Sequence, residues 1–378
     1  MRTLTRPAAV LIFFLFALLP VILFDHGGPG PDLDSYGQNV RARFPDKLAP
    51  HTFRFLSDWF VDRIGLRNLL VAIGAELNLA ILRVSTNRNV LIGNDGWLFW
   101  SDYEKKPATM MLDVRGSLRF RPTEITAINA NLNRIADAFS RCGKTALIVV
   151  APNKQSIYRE HLVPKGPRIP SRLDDLLDKI DTKARSIVID ARVPLLAAKR
   201  SEDLPLYFKT DTHWNELGAF EVYREIVRRL NRVGAVYMPE LASLDNYEVK
   251  EERFAGGDLS TRMLLAPWLF PDTTVHLLQK QTFPVSRVFS SQFDTVYHNA
   301  VGKAHLVLIG DSFLPLLGGF LSNHFNEVDQ HQLVGPRFYV TPAGGPETDV
   351  EILEVVERNL FLLQLPAIGL DHVCAAAH

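Results

Sequence analysis

Apolar residues first gather in an uncharged run at 7–24 (PAAVLIFFLFALLPVILF), preceded by Arg2 and Arg6 and followed by Asp25, Asp32 and Asp34. At ~1.5 Å per residue a helix of this length reaches about 27 Å, close to the hydrocarbon thickness of a bilayer. Phe24-Asp25-His26 follows the run in place of the small residues of a cleavage site, which favours an uncleaved anchor over a removed signal peptide. Arginines before the run and aspartates after it put the N-terminus in the cytoplasm and the body outside. The expectation is a single-pass anchor in the cytoplasmic (inner) membrane, with the body in the periplasm if the cell is Gram-negative. HGGPGP at 26–31 reads as a linker.

Beyond the linker, residues 50–83 carry a helical period through Phe53, Leu56, Phe60, Ile64, Leu69, Leu70, Ile73 and Leu77. Gly93-Asn94-Asp95-Gly96 then turns the chain into Trp97-Leu98-Phe99-Trp100, a short aromatic strand or buried plug. From Thr123 onward, helical and strand patterns alternate. Helices are predicted at 123–139, 172–183, 216–232 and 350–363, with Asn215 as N-cap of the third. Continuous apolar runs at 146–150, 187–189 and 306–309 read as buried strands. Such strands between amphipathic helices imply an α/β domain whose mostly parallel sheet is flanked by helices on both faces. The resulting division is an anchor and linker at 1–31, a helical and GWLF segment at 32–122, and an α/β domain at 123–370. Residues from about 237 to 300, rich in Pro, Gly and polar side chains, read as an insertion in that domain.

Composition narrows the possible functions. Among 378 residues, Lys+Arg 42 balance Asp+Glu 42, so no basic excess exists to neutralise a phosphate backbone and no nucleic-acid partner is expected. A hydrophobic fraction of 47% excludes a disordered chain. Only Cys142 and Cys374 are present, too few for a disulfide scaffold or a Cys-rich metal site. Outside the cytoplasm they either pair, closing a long loop worth roughly 5 kcal/mol, or stay as two buried thiols. Neither GxxxxGK[ST] nor GxGxxG occurs, so no nucleotide cofactor is expected, and the absence of H-x-x-x-H and H-E-x-x-H argues against a metal site.

Two short motifs carry chemistry. Gly310-Asp311-Ser312-Phe313 follows a predicted strand, and ligands bind at strand carboxyl ends in open parallel sheets. There Ser312 Oγ faces the edge, while backbone N–H groups of the next turn, Phe313 among them, can hold an oxyanion. Asp211-Thr212-His213-Trp214 is the second motif. If residues 206–214 are extended, Asp211 and His213 point the same way, so the Asp can orient the imidazole for proton transfer with a serine. Taken singly, each motif has a plain structural explanation, a helix N-cap serine and a loop-capping histidine. Together Ser312, His213 and Asp211 supply a nucleophile, a base and an orienting acid.

The GWLF, D-T-H-W and G-D-S-F segments, in that order behind an apolar N-terminus, resemble the alginate O-acetyltransferase family of AlgJ- and AlgX-like proteins. Ala151-Pro152-Asn153-Lys154 and Gly256-Gly257-Asp258-Leu259-Ser260 are also similar to family segments. The resemblance covers residues 53–363 and implies an SGNH-hydrolase-like fold, with Asp and His ahead of Ser in the chain. It implies Ser312 as nucleophile, His213 as general base and acid, Asp211 as its orienter and Asp311 as the holder of the serine turn. Asn153 resembles the oxyanion asparagine of the SGNH hydrolases. The stretch from Ser312 to His378 is shorter than an AlgX-type carbohydrate-binding module needs, which favours the AlgJ-like anchored arrangement. The implied activity is acetyl transfer to hydroxyls of an exported polysaccharide through an acetyl-serine. A membrane-bound O-acyltransferase is the implied partner that passes acetyl across the bilayer. An acetylesterase and a non-catalytic scaffold of a secretion complex are the alternatives. Trp100, Tyr103 and Trp214 can stack on sugar rings if exposed, although large aromatics usually belong to a core.

Overall fold

The computed structural model describes residues 52–61, 63, 73–74, 76–82, 84–85, 87–101, 109–163, 169–201, 204–236, 239–264, 269–281, 283–334, 347–366 and 370–374, with positions 10, 14, 18, 19 and 21–24 of the first apolar run. Among the described residues no helix is long and apolar enough to cross a membrane, and most of the predicted anchor lies outside them.

The chain divides into two compact units, one of residues 1–87 with 260–270 and one of 88–259 with 271–378. In the first, α1 (Thr52–Val61) falls inside the predicted helical stretch, and the Phe24 ring lies 5.6 Å from Trp59 and 5.3 Å from Phe60.

The second unit is built on a seven-stranded sheet. Its strands, following the short antiparallel pair β1 (Val90–Ile92) and β2 (Leu98–Trp100), are β3 (Thr145–Ala151), β4 (Val188–Asp190), β7 (Val285–Ser290), β8 (Asp294–Asn299), β9 (His305–Gly310), β10 (Glu327–Gln332) and β11 (Val350–Val356). The order is β4-β3-β11-β9-β10-β8-β7, with the first five strands parallel and β8 antiparallel to both of its neighbours, β10 and β7. Strands β5 (Tyr247–Phe254) and β6 (Asp272–Gln279) pair separately. The segment read as an insertion is therefore two things: a hairpin-like pair, and two strands that widen the sheet.

Helices cover both faces. They are α2 (Thr109–Val114), α3 (Pro122–Arg141), α4 (Lys154–Ile157), α5 (Arg172–Lys179), α6 (Thr182–Ser186), α7 (Arg192–Ser201), α8 (Glu216–Arg232) and α9 (Pro315–Leu321). Strand alternation sorts β3 between two cores. Leu147, Val149 and Ala151 pack with Leu217, Phe220 and Tyr223 of α8, whereas Ala146, Ile148 and Val150 pack with Ile125, Ile128 and Leu132 of α3. The stretch predicted as one helix at 172–183 is two, because Asp181 accepts from the Ala184 amide and starts α6 afresh.

The largest departure is at 350–363. The predicted helix is instead β11, which sits between β3 and β9 at the centre of the sheet, followed by a 3₁₀ segment at Glu357–Gln364. Cys142, which caps the end of α3, is bonded to Cys374.

Candidate active site

Three adjacent central strands end at the same edge. The carboxyl end of β3 leads to Asn153 and Lys154, that of β11 to Glu357 and Arg358, and that of β9 to Asp311 and Ser312. The connections out of β3 and β9 run to opposite sides of this centre, the crevice in which parallel sheets place ligands.

The serine turn is held from below by carboxyl groups. Asp311 Oδ2 accepts the Val356 amide at 2.9 Å, and Glu354 Oε2 accepts the Asp311 amide at 2.9 Å. Burial and the neighbouring Asp311 charge push the Glu354 carboxyl well above its ordinary range. Asp311 Oδ1 accepts the Phe313 amide at 3.1 Å, so the backbone donor expected at Phe313 for an oxyanion is engaged within the turn. Ser312's own amide has no acceptor among the described residues. Of the two amides that sequence offers for an oxyanion, those of Ser312 and Phe313, the turn leaves the first, and nothing local tells which one the Asp will take.

His213 is reached differently from the way its spacing suggests. Residues 206–214 are not an extended strand. A single antiparallel bridge, Tyr207 to Trp214, closes a loop, and Asp211 caps that loop from inside by accepting the His213 amide at 3.0 Å. The nearness of Asp211 to His213 comes from this turn rather than from strand pleating. With Nδ1 protonated, the ring donates to Asp211 Oδ1 at 2.6 Å, and Nε2 accepts from Ser312 Oγ at 2.8 Å. Asn215 accepts the Gly218 amide as N-cap of α8, which fixes the exit of the loop.

Three buried groups outside the predicted set position the loop. Lys154 Nζ donates to the carbonyls of Phe208 (3.1 Å), Lys209 (2.9 Å) and Asp211 (2.6 Å). Burial lowers its pKa to about 8 against the pull of Asp211, Asp258 and Asp272. The GWLF segment buttresses it. Trp97 and Phe99 lie beneath the ammonium, and the Leu98 amide donates to Lys209 O at 2.8 Å. From the other side Asp258 donates its amide to Asp211 Oδ2 at 3.0 Å, and Gly257 lets that chain approach, since a Cβ there would stand 2.4 Å from the Asp211 Cβ.

Burial disfavours the ionised Asp211 carboxyl, but the hydrogen bond and charge of His213, with the Asp258 and His213 amides, hold it well below the usual range. For His213, burial works against the imidazolium. The hydrogen bond to Asp211 and the charges of Asp211 and Asp258 outweigh it, leaving the ring above the ordinary value of 6.5. The ring is still 22% exposed, so the proton-transfer pair is open to small molecules.

Asn153 is buried; its amide donates to Glu357 Oε2 at 3.0 Å and its Oδ1 accepts from Arg358 at 3.3 Å. The Arg358 guanidinium lies over the rings of Trp100 (5.1 Å) and Phe313 (5.5 Å) and lines a small cleft with Trp100, Lys154, Gln155 and Thr212. Of the aromatics considered for sugar stacking, Trp214 is 1% exposed and packs edge-on against Phe313, which removes it from that role. Trp100 is half-buried at the cleft, and Tyr103 lies outside the described residues. Among the described residues two side-chain groups bring three potential metal ligands within 4.8 Å of one another, Asp211 with His213 and Asp258, and His305 with Glu327 and Asp329. In the first, both ring nitrogens of His213 already face protein partners.

A protein-family model described as "SGNH hydrolase-like domain, acetyltransferase AlgX" matches residues 90–361. The probable alginate O-acetylase AlgJ of Pseudomonas aeruginosa is 29% identical over 180 residues, 47% of this chain and 42% of that protein. The chain thus spans less than half the length of that curated relative. Among solved structures, Bacillus cereus PatB1 shares the fold at a TM-score of 0.50 and 14% identity, covering 73% of this chain and 99% of that one. The O-acetyltransferase domain of Pseudomonas putida AlgJ aligns at a TM-score of 0.40 with 18% identity, over 74% of this chain and 94% of that one.

Proposed function

The chain belongs to the AlgX acetyltransferase family of SGNH-hydrolase-like domains, and on that premise we propose that it transfers acetyl groups to hydroxyls of an exported, alginate-like polysaccharide. The observation that carries this reading is the 2.8 Å approach of His213 Nε2 to Ser312 Oγ, with Asp211 on the opposite ring nitrogen. A base held within hydrogen-bond reach of a hydroxyl, and itself oriented by a carboxylate, is the arrangement that activates a serine.

On this reading Ser312 Oγ attacks the acetyl carbonyl of a donor ester or thioester while His213 Nε2 takes the hydroxyl proton. The tetrahedral oxyanion is met by the Ser312 amide and by the Asn153 side chain, which Arg358 orients through Oδ1. Collapse expels the donor's alcohol or thiol, which receives the proton from His213, and leaves acetyl on Ser312. A sugar hydroxyl then attacks the acetyl-serine, giving its proton to His213, and Ser312 regains its hydroxyl as the acetylated sugar departs. No metal or organic cofactor enters either step.

The apolar run at 7–24 anchors the body outside the cytoplasm in this reading. A membrane-bound O-acyltransferase delivers the acetyl group, and tethering to one membrane raises the effective concentration of the two partners. The test is to give the full-length protein a chromogenic acetyl ester with and without an alginate oligosaccharide. Acetylated oligosaccharide and faster ester consumption are expected. Ester consumption that yields only acetate, whatever acceptor is present, makes the chain an esterase instead.

The same assay has a defined pH dependence. His213 must be neutral to accept the serine proton, and its pKa stands above 6.5, so kcat/KM should fall on acidification through a midpoint above that value. A limb centred well below it would remove His213 as the base.

A further inference from the structure

We infer that Arg358 holds a carboxylate of the acceptor sugar and so makes the site selective for acidic polysaccharides over neutral ones. The inference deepens the acyl-transfer reading and rests on it for the presence of an acceptor at this cleft.

Arg358 stands two residues beyond β11, where its backbone is fixed. Its carbonyl accepts from Arg172 Nη2 at 3.2 Å, and the preceding Glu357 carboxylate takes the Asn153 amide and the Ser156 hydroxyl. The guanidinium lies over the rings of both Trp100 and Phe313, and Phe313 directly follows the proposed nucleophile. Its Nη1 donates to Asn153 Oδ1 at 3.3 Å, which leaves the rest of the donor fork unengaged among the described residues. No carboxylate forms an ion pair with Arg358 among those residues. Arg192 shows how this fold treats a structural arginine: its guanidinium meets Asp174 at 2.8 Å and Asp190 at 2.8 Å.

A half-buried guanidinium has lost part of its hydration and gains from an anion. The two rings hold this one in place, so little side-chain freedom is left to lose when a ligand arrives, and its planar fork matches a carboxylate. The cleft it shares with Trp100, Lys154, Gln155 and Thr212 encloses about 190 Å³. That is less than pockets enclosing a whole small ligand, and suits one substituent of a longer chain. Lys154 does not compete for the anion, because its ammonium donates to three backbone carbonyls. Lys+Arg 42 balance Asp+Glu 42, so the chain exerts no general attraction on a polyanion and a preference has to come from a local cation. The Arg358 charge also works against an imidazolium at His213. A bound carboxylate removes that opposition at the moment the sugar hydroxyl gives up its proton.

Binding is measured in full-length Ser312→Ala protein, where no turnover intervenes. An alginate oligosaccharide and the same oligosaccharide with its carboxyl groups reduced to alcohols are each titrated by calorimetry. The acidic form should bind roughly tenfold more tightly or better, the worth of a charge-assisted hydrogen bond. Adding Arg358→Gln should bring the two affinities together. Their ratio cancels whatever that substitution does to Asn153 or to the shape of the cleft. Equal affinities in Ser312→Ala, or a preference that survives Arg358→Gln, overturn the inference. If the glutamine variant does not fold, Arg358→Lys replaces it, keeping the charge but not the fork or the stacking. The lysine should narrow the ratio, and an unchanged ratio overturns the inference. Wild-type protein that shows the preference yet acetylates neither oligosaccharide sinks the proposed function and leaves the carboxylate site standing.

Discussion

Replacing Ser312 by alanine should abolish ester turnover and acceptor acetylation, by roughly 10⁴-fold or more in kcat, while leaving the fold intact. The serine hydroxyl makes one hydrogen bond among the described residues, to His213 Nε2, so alanine removes the nucleophile and leaves no buried partner stranded in an apolar setting. His213→Gln should cost a similar factor, and the double variant little more, because nucleophile and base act as one unit. The readouts are hydrolysis of the chromogenic ester, acetylation of oligosaccharide, and an acetyl adduct on intact protein that Ser312→Ala cannot form. Undiminished acetylation of the polymer by Ser312→Ala would reduce the chain to a scaffold and end the enzymatic reading.

Breaking the Cys142–Cys374 bond should be the most destabilising change away from the site. The bond joins residues 232 positions apart, and in the chain-entropy model a loop of that length is worth roughly 5 kcal/mol. Cys142→Ser with Cys374→Ser, or reductant on the wild type, should therefore lower the denaturant midpoint clearly, with a drop in Tm of roughly 5–10 °C for a body of this size. Equal midpoints with and without reductant would show that the cross-link adds nothing. A structural disulfide also fits a body kept in an oxidising compartment, in line with the proposed placement outside the cytoplasm.

Much of the fold is legible in the sequence because the strands buried on both faces read as continuous apolar runs. Leu306-Val307-Leu308-Ile309 and Ala146-Leu147-Ile148-Val149-Val150 are unmistakable for that reason. Strand β11 hides for the opposite reason. Glu351, Glu354 and Glu357 recur every third residue and imitate the polar stripe of an amphipathic helix, yet all three are buried. Glu354 accepts the Asp311 amide, and Glu357 accepts the Asn153 amide and the Ser156 hydroxyl, partners supplied by distant parts of the chain. The meeting of Asp211, His213 and Ser312 is legible from residue types and motif order, although a strand was the wrong reason for expecting it. Lys154 and Asp258 carry no local signal of what they do, since each is defined by loops fifty or so positions away.

The place of β11 in the sheet bears on how the protein is made. Strands β3 and β9 do not pair with one another; each pairs with β11, which is synthesised after every other strand described. Until residues 350–356 emerge, the nascent chain has two open strand edges facing a missing partner, and its longest-range pairings wait for that strand. A chain so built keeps the middle of its sheet open until β11 has been made, and a product terminated before that strand would be left with sticky edges for chaperones and proteases to remove.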